Sequence, residues 1–304
     1  MIVCAGEALI DMLPRDLPDG GTAFAPHPGG SVMNTAVAAA RLGARTGFVS
    51  GLSTDLFGKV LTDHLDGSGV DRSAAVRSGR PTTLAFVTLQ DGHAAYAFYD
   101  ENTAGRMLSP EDMPDLPDGA AALFCGGISL PVEPCGTAYE ALFLRSGGVA
   151  RMIDPNVRTS FVADEGAFRA RMDRMLAAAD VVKVSDEDLR WLTGERDMGR
   201  AAGAMRAKGP ALVCVTEGAK GATGHWAGDP VQVPAARAEV VDTVGAGDTF
   251  NAGVLVALSE AGLLAPGLPG LSADDVRAAL SLGAVAAAVT VSRAGANPPW
   301  RDEL

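Results

Sequence analysis

The chain has 304 residues, 47% of them apolar and 20% charged, which at roughly 150 residues per domain gives core enough for one large α/β unit or two smaller ones. A net charge of −12 repels nucleic-acid phosphates and anionic lipid headgroups, which excludes polyanion binding as the main task but leaves open a small anion held by local donors. No apolar run reaches the ~20 residues of a membrane helix, and Cys4, Cys125, Cys135 and Cys214 lie far apart with no His at metal-ligand spacing, so neither a zinc site nor a disulfide framework is expected.

The opening MIVCAGEALID has no basic segment and carries Glu7 within its apolar stretch, so it reads as a first strand, Ile2–Leu9, rather than a secretory signal, and a cytoplasmic location is expected. Met12–Phe24, rich in Pro, Gly and Asp, interrupts the pattern before a helix over Asn34–Leu42, a strand over Arg45–Gly51 and a helix over Phe57–Ser68. Thr82–Tyr99 holds two alternating apolar runs around Asp91-Gly92, a pair suited to the positive φ angles of a type I′ hairpin, so a small β flap is expected beside the main sheet. Strands over Ala121–Phe124, Val149–Asp154, Val181–Val184 and Ala211–Thr216 then alternate with helices over Cys135–Arg145, Phe168–Ala178, Asp186–Thr193 and Asp197–Lys208. Such recurrence of short β runs and longer amphipathic stretches predicts βαβ units on a parallel sheet, an α/β class. Cys4, Cys125 and Cys214 fall inside the strand-like runs and read as small buried hydrophobes, and Ala284–Val289 as a close-packed helix.

The most specific segment is Asp242-Thr243-Val244-Gly245-Ala246-Gly247-Asp248-Thr249-Phe250-Asn251-Ala252-Gly253, in which three small residues turn the chain into an apolar helix. Gly245, Ala246 and Gly247 leave their amides uncovered at a helix N-terminus, where free N–H groups and the positive dipole end suit an anion. Asp248 sits in the first turn, where the same field favours its ionised form, ready to take a proton from a hydroxyl held nearby. An anion hole beside a carboxylate base is what phosphoryl transfer to an alcohol requires. Read without its neighbours, G-A-G-D is equally an ordinary tight turn followed by an N-terminal acid.

The twelve residues together resemble the C-terminal signature of the ribokinase-like (PfkB) carbohydrate kinases. That resemblance implies a three-layer α/β/α sandwich with a mostly parallel central sheet, one unit over residues 1–304, and a β-sheet lid over about 12–26 and 80–103. It makes Asp248 the general base and the Gly245–Gly247 amides the anion hole for the transferred phosphoryl group. No G-x-x-x-x-G-K-[ST] is present, which excludes a P-loop kinase on motif grounds.

Other segments agree with the family in order. Gly6-Glu7-Ala8-Leu9-Ile10-Asp11 sets a carboxylate past the first strand, where ligands of open parallel sheets bind; the family implies that Asp11 accepts two sugar hydroxyls, with Glu7 either shaping the site or structural. Gly29-Gly30-Ser31-Val32-Met33-Asn34 resembles G-G-x-x-x-N and implies sugar contacts at Gly29, Gly30 and Asn34, although Asn34 by itself reads as a helix cap. Gly51 to Gly58 is similar to G-x-x-x-D-x-x-G and is taken as architectural.

On the nucleotide side, Thr216-Glu217-Gly218-Ala219-Lys220-Gly221 resembles T-x-G-x-x-G, which implies Thr216, Gly218 and Gly221 around the ATP phosphates, with Lys220 either a phosphate partner or a solvated cation. Lys183-Val184-Ser185-Asp186-Glu187-Asp188 stands in place of N-x-x-E, the element that holds Mg²⁺ through water; Ser185 and Asp188 replace its Asn and Glu, and Lys183 joins them. Ala286–Val291 and the following Ser292-Arg293-Ala294-Gly295-Ala296 resemble the adenine-packing helix and turn. They imply backbone ligands for a potassium ion at Asp242, Val244, Thr290, Arg293 and Gly295, with Pro299 where some relatives place a hydroxyl.

Within the family, GEALIDMLP, FYDENTAGRM, Asp154-Pro155-Asn156-Val157-Arg158 and SRAGANPPW resemble bacterial fructokinases. The rival is 2-keto-3-deoxygluconate kinase, which must neutralise a substrate carboxylate and carries Tyr-Tyr-Arg where this chain has Phe98-Tyr99-Asp100. Arg158 suits a carboxylate or an ATP phosphate, and Tyr96 and Phe98 read as flap contacts or as plain packing. The expectation is therefore phosphorylation of fructose at its 6-hydroxyl by ATP. Alternatives from other substrate and functional classes are a nucleoside kinase and a sugar-responsive regulator without turnover. The exposed flap edge allows a homodimer as readily as a monomer.

Overall fold

The computed structural model describes residues 1–90 and 93–304, and of residues 88–90 and 93–96 the backbone alone; the Asp91-Gly92 turn and the Tyr96 side chain lie outside the described residues. The chain enters through β1 (Ile2–Ala5), then β2 (Leu9–Asp16), β3 (Thr22–Gly29), α1 (Ser31–Arg41), β4 (Thr46–Val49), β5 (Gly51–Ser53) and α2 (Leu56–Gly67). There follow β6 (Val76–Ser78), β7 (Leu84–Gln90), β8 (His93–Tyr99), β9 (Ala122–Gly126), α3 (Cys135–Arg145), β10 (Ala150–Asp154), α4 (Glu165–Ala178) and β11 (Val181–Ser185). The rest comprises α5 (Asp186–Thr193), α6 (Met198–Arg206), β12 (Leu212–Thr216), β13 (Ala222–His225), β14 (Val231–Val233), α7 (Ala246–Glu260) and α8 (Ala273–Val291).

Eight strands form the main sheet in the order β14-β13-β12-β11-β10-β9-β1-β4, parallel from β12 to β4 and antiparallel at the β13 and β14 edge. Its central strands are apolar at almost every position because both faces are covered. Ile2 and Cys4 belong to the core under α1, α2, α7 and α8, whereas Val3 and Ala5 belong to the core under α3 to α6. Helices on both faces of a mostly parallel sheet give the expected α/β sandwich. All four cysteines are buried and unpaired, and no described helix is long and apolar enough to cross a membrane.

A second, four-stranded sheet has the order β3-β2-β7-β8. Leu9 pairs with Gly29 through Asp16 with Thr22, and Leu84 with Tyr99 through Gln90 with His93, so each expected flap segment contributes a pair of strands, the first reaching beyond 12–26 and the second falling short of 80–103. A shorter parallel pair, β5 and β6, forms a third sheet.

Several predicted boundaries shift. The strand expected over Ile2–Leu9 ends at Ala5, and the next residue, Gly6, packs so closely on Val32 that a Cβ would collide with it; Leu9 already belongs to β2 of the other sheet, so Asp11 lies within β2 and not just past the first strand. The Arg45–Gly51 strand divides at Ser50 into β4 and β5. Helix α1 starts at Ser31, not Asn34, because Gly30 at φ 104° turns the chain out of β3 and takes the cap position itself. Asn34 is therefore not a cap, and its amide is free for another partner.

Candidate functional site

A cavity of about 670 Å³ lies between the second sheet and the C-terminal ends of the parallel strands. Asp11 and His27 reach it from the second sheet, Asn156 and Arg158 from the turn after β10, Lys183 from β11, and Gly245, Gly247 and Asp248 from the start of α7. This is the edge of an open parallel sheet at which ligands bind.

Asp242 builds the approach to α7. Its Oδ1 accepts the Val244 N–H at 3.0 Å and its Oδ2 the Gly295 N–H at 2.9 Å, so the segment before α7 is stitched to the turn after α8. Gly245 then caps α7 in the left-handed region at φ 78°, and a Cβ there would lie 2.7 Å from Ala296 Cβ, so glycine is required on two counts. First-turn amides have no partner inside their helix. Gly245 and Gly247 line the cavity, whereas the Ala246 N–H is turned to Thr243 O at 3.4 Å.

Asp248 is buried in that first turn. Ser31 Oγ donates to its Oδ1 at 2.7 Å and Asn34 Nδ2 to its Oδ2 at 2.9 Å, which gives the amide of Asn34 its role. Burial pushes the Asp248 carboxyl up from the usual range; the Asn34 and Ser31 donors hold it back, Asp154 adds to the rise, and Lys183 opposes it. Behind it, Asp154 Oδ2 accepts from Lys183 Nζ at 2.9 Å and from Asn251 Nδ2 at 2.8 Å. Burial would lower the Lys183 ammonium, but the charge and hydrogen bond of Asp154 outweigh it and hold Lys183 above its ordinary value.

At the other end, Asp11 is pushed up to about 6 by burial and by the charge of Asp248. A Cβ on Gly29 would collide with its carboxylate, and one on Gly30 would lie 2.9 Å from Glu7 O, so both glycines admit the close approach of β2, β3 and α1. Glu7 lines the cavity and also accepts from the Ser31 N–H at 3.1 Å and from Ser129 Oγ at 2.7 Å, tying the start of α1 to the turn after β9. Arg158 and Phe98 line the cavity, Phe98 edge-on to Phe161 with ring centres 4.5 Å apart.

The expected nucleotide-side residues fall into two groups. Lys183, Asp242, Val244 and Gly295 line the cavity; Ser185, Asp188, Thr216, Gly218, Lys220 and Gly221 do not. Ser185 Oγ caps α5 by accepting the Asp188 N–H at 3.0 Å, and Asp188 is raised to about 6 by burial and by Asp154. Thr216 Oγ1 donates to Val184 O at 3.4 Å, and Gly221 runs so close to Val233 O that any Cβ would collide. Lys220 is exposed, 3.9 Å from Glu217. Thr290 is buried with its hydroxyl on Thr249 at 2.9 Å, and Arg293 pairs with Glu303 at 2.7 Å.

Sequence reasoning did not single out Ser31, Asn156, Asp154 or Asn251 as functional candidates. All four lie inside segments noted for other residues, and only the three-dimensional juxtaposition of α1, the β10 turn and α7 gives them partners. No signal in the local sequence marks that meeting.

Comparison with known proteins assigns the family. The model of the pfkB family carbohydrate kinases matches residues 1–303. A fructokinase from Rhizobium leguminosarum bv. trifolii is 49% identical over 266 residues, 87% of this chain and 81% of the relative. The crystal structure of Xylella fastidiosa fructokinase with bound ATP superposes with a TM-score of 0.87 at 30% identity, covering 97% of this chain and 93% of that one. A double mutant of Vibrio cholerae O395 fructokinase, in its fructose-, ADP- and potassium-bound form, gives 0.84 at 27% identity over 97% and 93%. The chain belongs to the PfkB family of carbohydrate kinases, closely related to the bacterial fructokinases.

Proposed function

We propose that this carbohydrate kinase transfers the γ-phosphoryl group of ATP to the 6-hydroxyl of fructose. The observation that carries the reading is the buried carboxylate of Asp248 at the N-terminus of α7, lining one cavity with Asp11. The related proteins named fructokinase, among them one with bound ATP and one with fructose and ADP, support both substrates.

Asp11 would accept hydrogen bonds from the sugar hydroxyls, with Gly29, Gly30 and Asn34 beside it, and present the reacting hydroxyl to Asp248. The proton passes to Asp248, the hydroxyl oxygen forms its bond to the γ-phosphorus, and the bond to the bridging oxygen of ADP breaks. The Gly245 and Gly247 amides and the Lys183 ammonium offset charge on the group in flight. The second sheet acts as a lid that keeps out water, which would otherwise hydrolyse ATP.

Mg²⁺ fits the donor chemistry: Asp188 is a buried carboxyl raised by burial and by the Asp154 charge, with Lys183 and Arg158 opposing, and Mg²⁺ takes oxygen ligands while keeping several waters. Bound there through water, it would neutralise the β- and γ-phosphate oxygens. The Asp242 carboxylate accepts from two N–H donors and the Thr290 hydroxyl is engaged with Thr249, and no step is assigned to a monovalent cation.

Among the described residues of the second sheet, no Lys or Arg lines the cavity to meet the carboxylate of a sugar acid. Asp100 pairs with Arg106 at 2.9 Å, outside the cavity lining, and Asp11 at the sugar end disfavours a second carboxylate. A coupled assay with MgATP and a panel of fructose, glucose, ribose, adenosine and 2-keto-3-deoxygluconate tests the reading. Fructose should give the highest kcat/KM, and Asp248→Asn should lower kcat by ~10²–10⁴. Preference for another acceptor overturns the fructose assignment, and a folded Asp248→Asn variant with near-full activity overturns the base.

A further inference from the structure

Among the groups around Asp248, one has no place in the steps above. Ser31 Oγ donates to Asp248 Oδ1 at 2.7 Å while accepting from Asn156 Nδ2 at 3.0 Å. A hydroxyl has one hydrogen. With the Asn156 amide supplying a donor to its oxygen, that hydrogen is directed at Asp248 and nowhere else.

The aim of Asn156 is itself fixed. Its backbone lies in the left-handed region at φ 41°, which Asn tolerates better than most residues, and its N–H donates to Asp154 Oδ1 at 3.1 Å. Asp154 is fully buried and anchored by Lys183 and Asn251. The other end of the relay is equally fixed, since Ser31 opens α1 with its own N–H on Glu7.

We infer that Ser31, oriented by Asn156, is a positioning residue that keeps Asp248 ionised and aimed as it awaits the substrate hydroxyl. This rests on the reading of Asp248 as the base. The charged groups around that carboxylate are Glu7 and Asp11 from the first strand region, Asp154 from β10 and Lys183 from β11. Three of the four are acids, so in a buried site the proton-bound form gains unless donors hold the anion. Asn34 is on the opposite oxygen, Oδ2, and is an expected sugar contact. When the sugar engages it, Ser31 is the side-chain donor that stays.

The test is the pH dependence of kcat, with sugar and MgATP both kept saturating at every pH so that the effect of Asp11 on KM drops out, measured on the full chain for wild type, Ser31→Ala, Asn156→Ala and the double variant, each checked for an unchanged circular-dichroism spectrum. Removing a donor to the anion raises its proton affinity, so the acid limb in Ser31→Ala should move up by about one pH unit, with the activity loss concentrated below the limb. Asn156→Ala should move it the same way by less, and the double variant should match Ser31→Ala, because Asn156 acts through Ser31. An unmoved limb in Ser31→Ala, or a full additive shift from Asn156→Ala in that background, overturns the inference. If Asp248→Asn is inactive while the Ser31→Ala limb stays in place, the base stands and only the relay fails. An active Asp248→Asn enzyme removes both.

Discussion

Lys183 donates to Asp154 at 2.9 Å with both side chains shut off from solvent, and its ammonium lies 3.1 Å from where a Cβ on Gly247 would sit. A buried pair of this kind contributes little net stability, but removing one partner strands the other. Lys183→Met should therefore lower unfolding free energy by about 3–5 kcal/mol in urea titrations. Lys183→Met combined with Asp154→Asn should recover a large part of that loss. Turnover should not return with it, because the cation beside Gly247 is still missing.

Asp11 should show a conflict between stability and binding. Its carboxyl is pushed up to about 6 against an ordinary 3.8 by burial and by Asp248. A raised carboxyl binds its proton more tightly in the folded chain, so its contribution is most favourable below 3.8 and is lost as pH rises through about 6. At pH 7.5 the ionised group is thus a burden of on the order of 2–3 kcal/mol. Asp11→Asn should raise the Tm at pH 7.5 and leave it little changed near pH 4, while KM for the sugar rises by at least tenfold. In wild type, KM for the sugar should climb as pH falls through about 6, and this dependence should flatten in Asp11→Asn. A Tm gain that persists undiminished at pH 4 would contradict the assignment.

The same two regions show how far the sequence could be read. The parallel sheet was legible because strands buried on both faces are written as unbroken apolar runs, and α3 and α5 end where predicted, α5 at a left-handed glycine, Gly194. Asp248 was legible as a first-turn acid because a helix start announces itself locally, whereas Asp11, expected just past the end of the first strand, lies within β2 of the second sheet. Asn34 was half legible: its role as a cap failed because Gly30 takes that position, while its hydrogen bond to Asp248 spans 214 residues of chain. The Ser31–Asn156 contact spans 125 residues and joins two side chains that each look like ordinary turn or cap residues. Local pattern carries no information about such pairings; the crossover of strands in the sheet creates them.

Asp55 fastens the second sheet to α2. Its Oδ1 accepts the Gly58 N–H at 2.7 Å as the cap of α2 and Thr82 Oγ1 at 2.6 Å, while Oδ2 accepts the Thr82 N–H at 2.8 Å just before β7. Burial alone would raise this carboxyl, but the Thr82 hydroxyl and the Gly58 and Thr82 amides hold it below its ordinary value. A depressed carboxyl stabilises the fold above its unfolded value of 3.8 and loses that effect as pH falls through the folded one. Asp55→Ala should cost about 1–2 kcal/mol at pH 7.5, and the gap from wild type should narrow below pH 3.8 in paired urea titrations. A gap that widens in acid would contradict this account.

Gly253 decides how α7 carries Asp248. A Cβ on it would lie 2.5 Å from Gly283 Cα and 2.6 Å from Gly283 N, so α7 and α8 touch backbone to backbone at this level. Alanine gains up to ~1 kcal/mol over glycine in a helix interior. Here that gain is outweighed, because the obstruction is main chain and cannot rotate away; the helices must part, at about 1–3 kcal/mol. Gly203 in α6 supplies the contrast, since it is exposed and a Cβ there meets nothing within 4 Å. Gly203→Ala should therefore raise unfolding free energy by about 0.5–1 kcal/mol with kcat unchanged. Gly253→Ala should lower it and reduce kcat as well, because displacing α7 moves Asp248 relative to Ser31 and Asn34, the two donors it faces from α1. If both alanines stabilise the chain equally, the close approach of the two helices does not constrain the base.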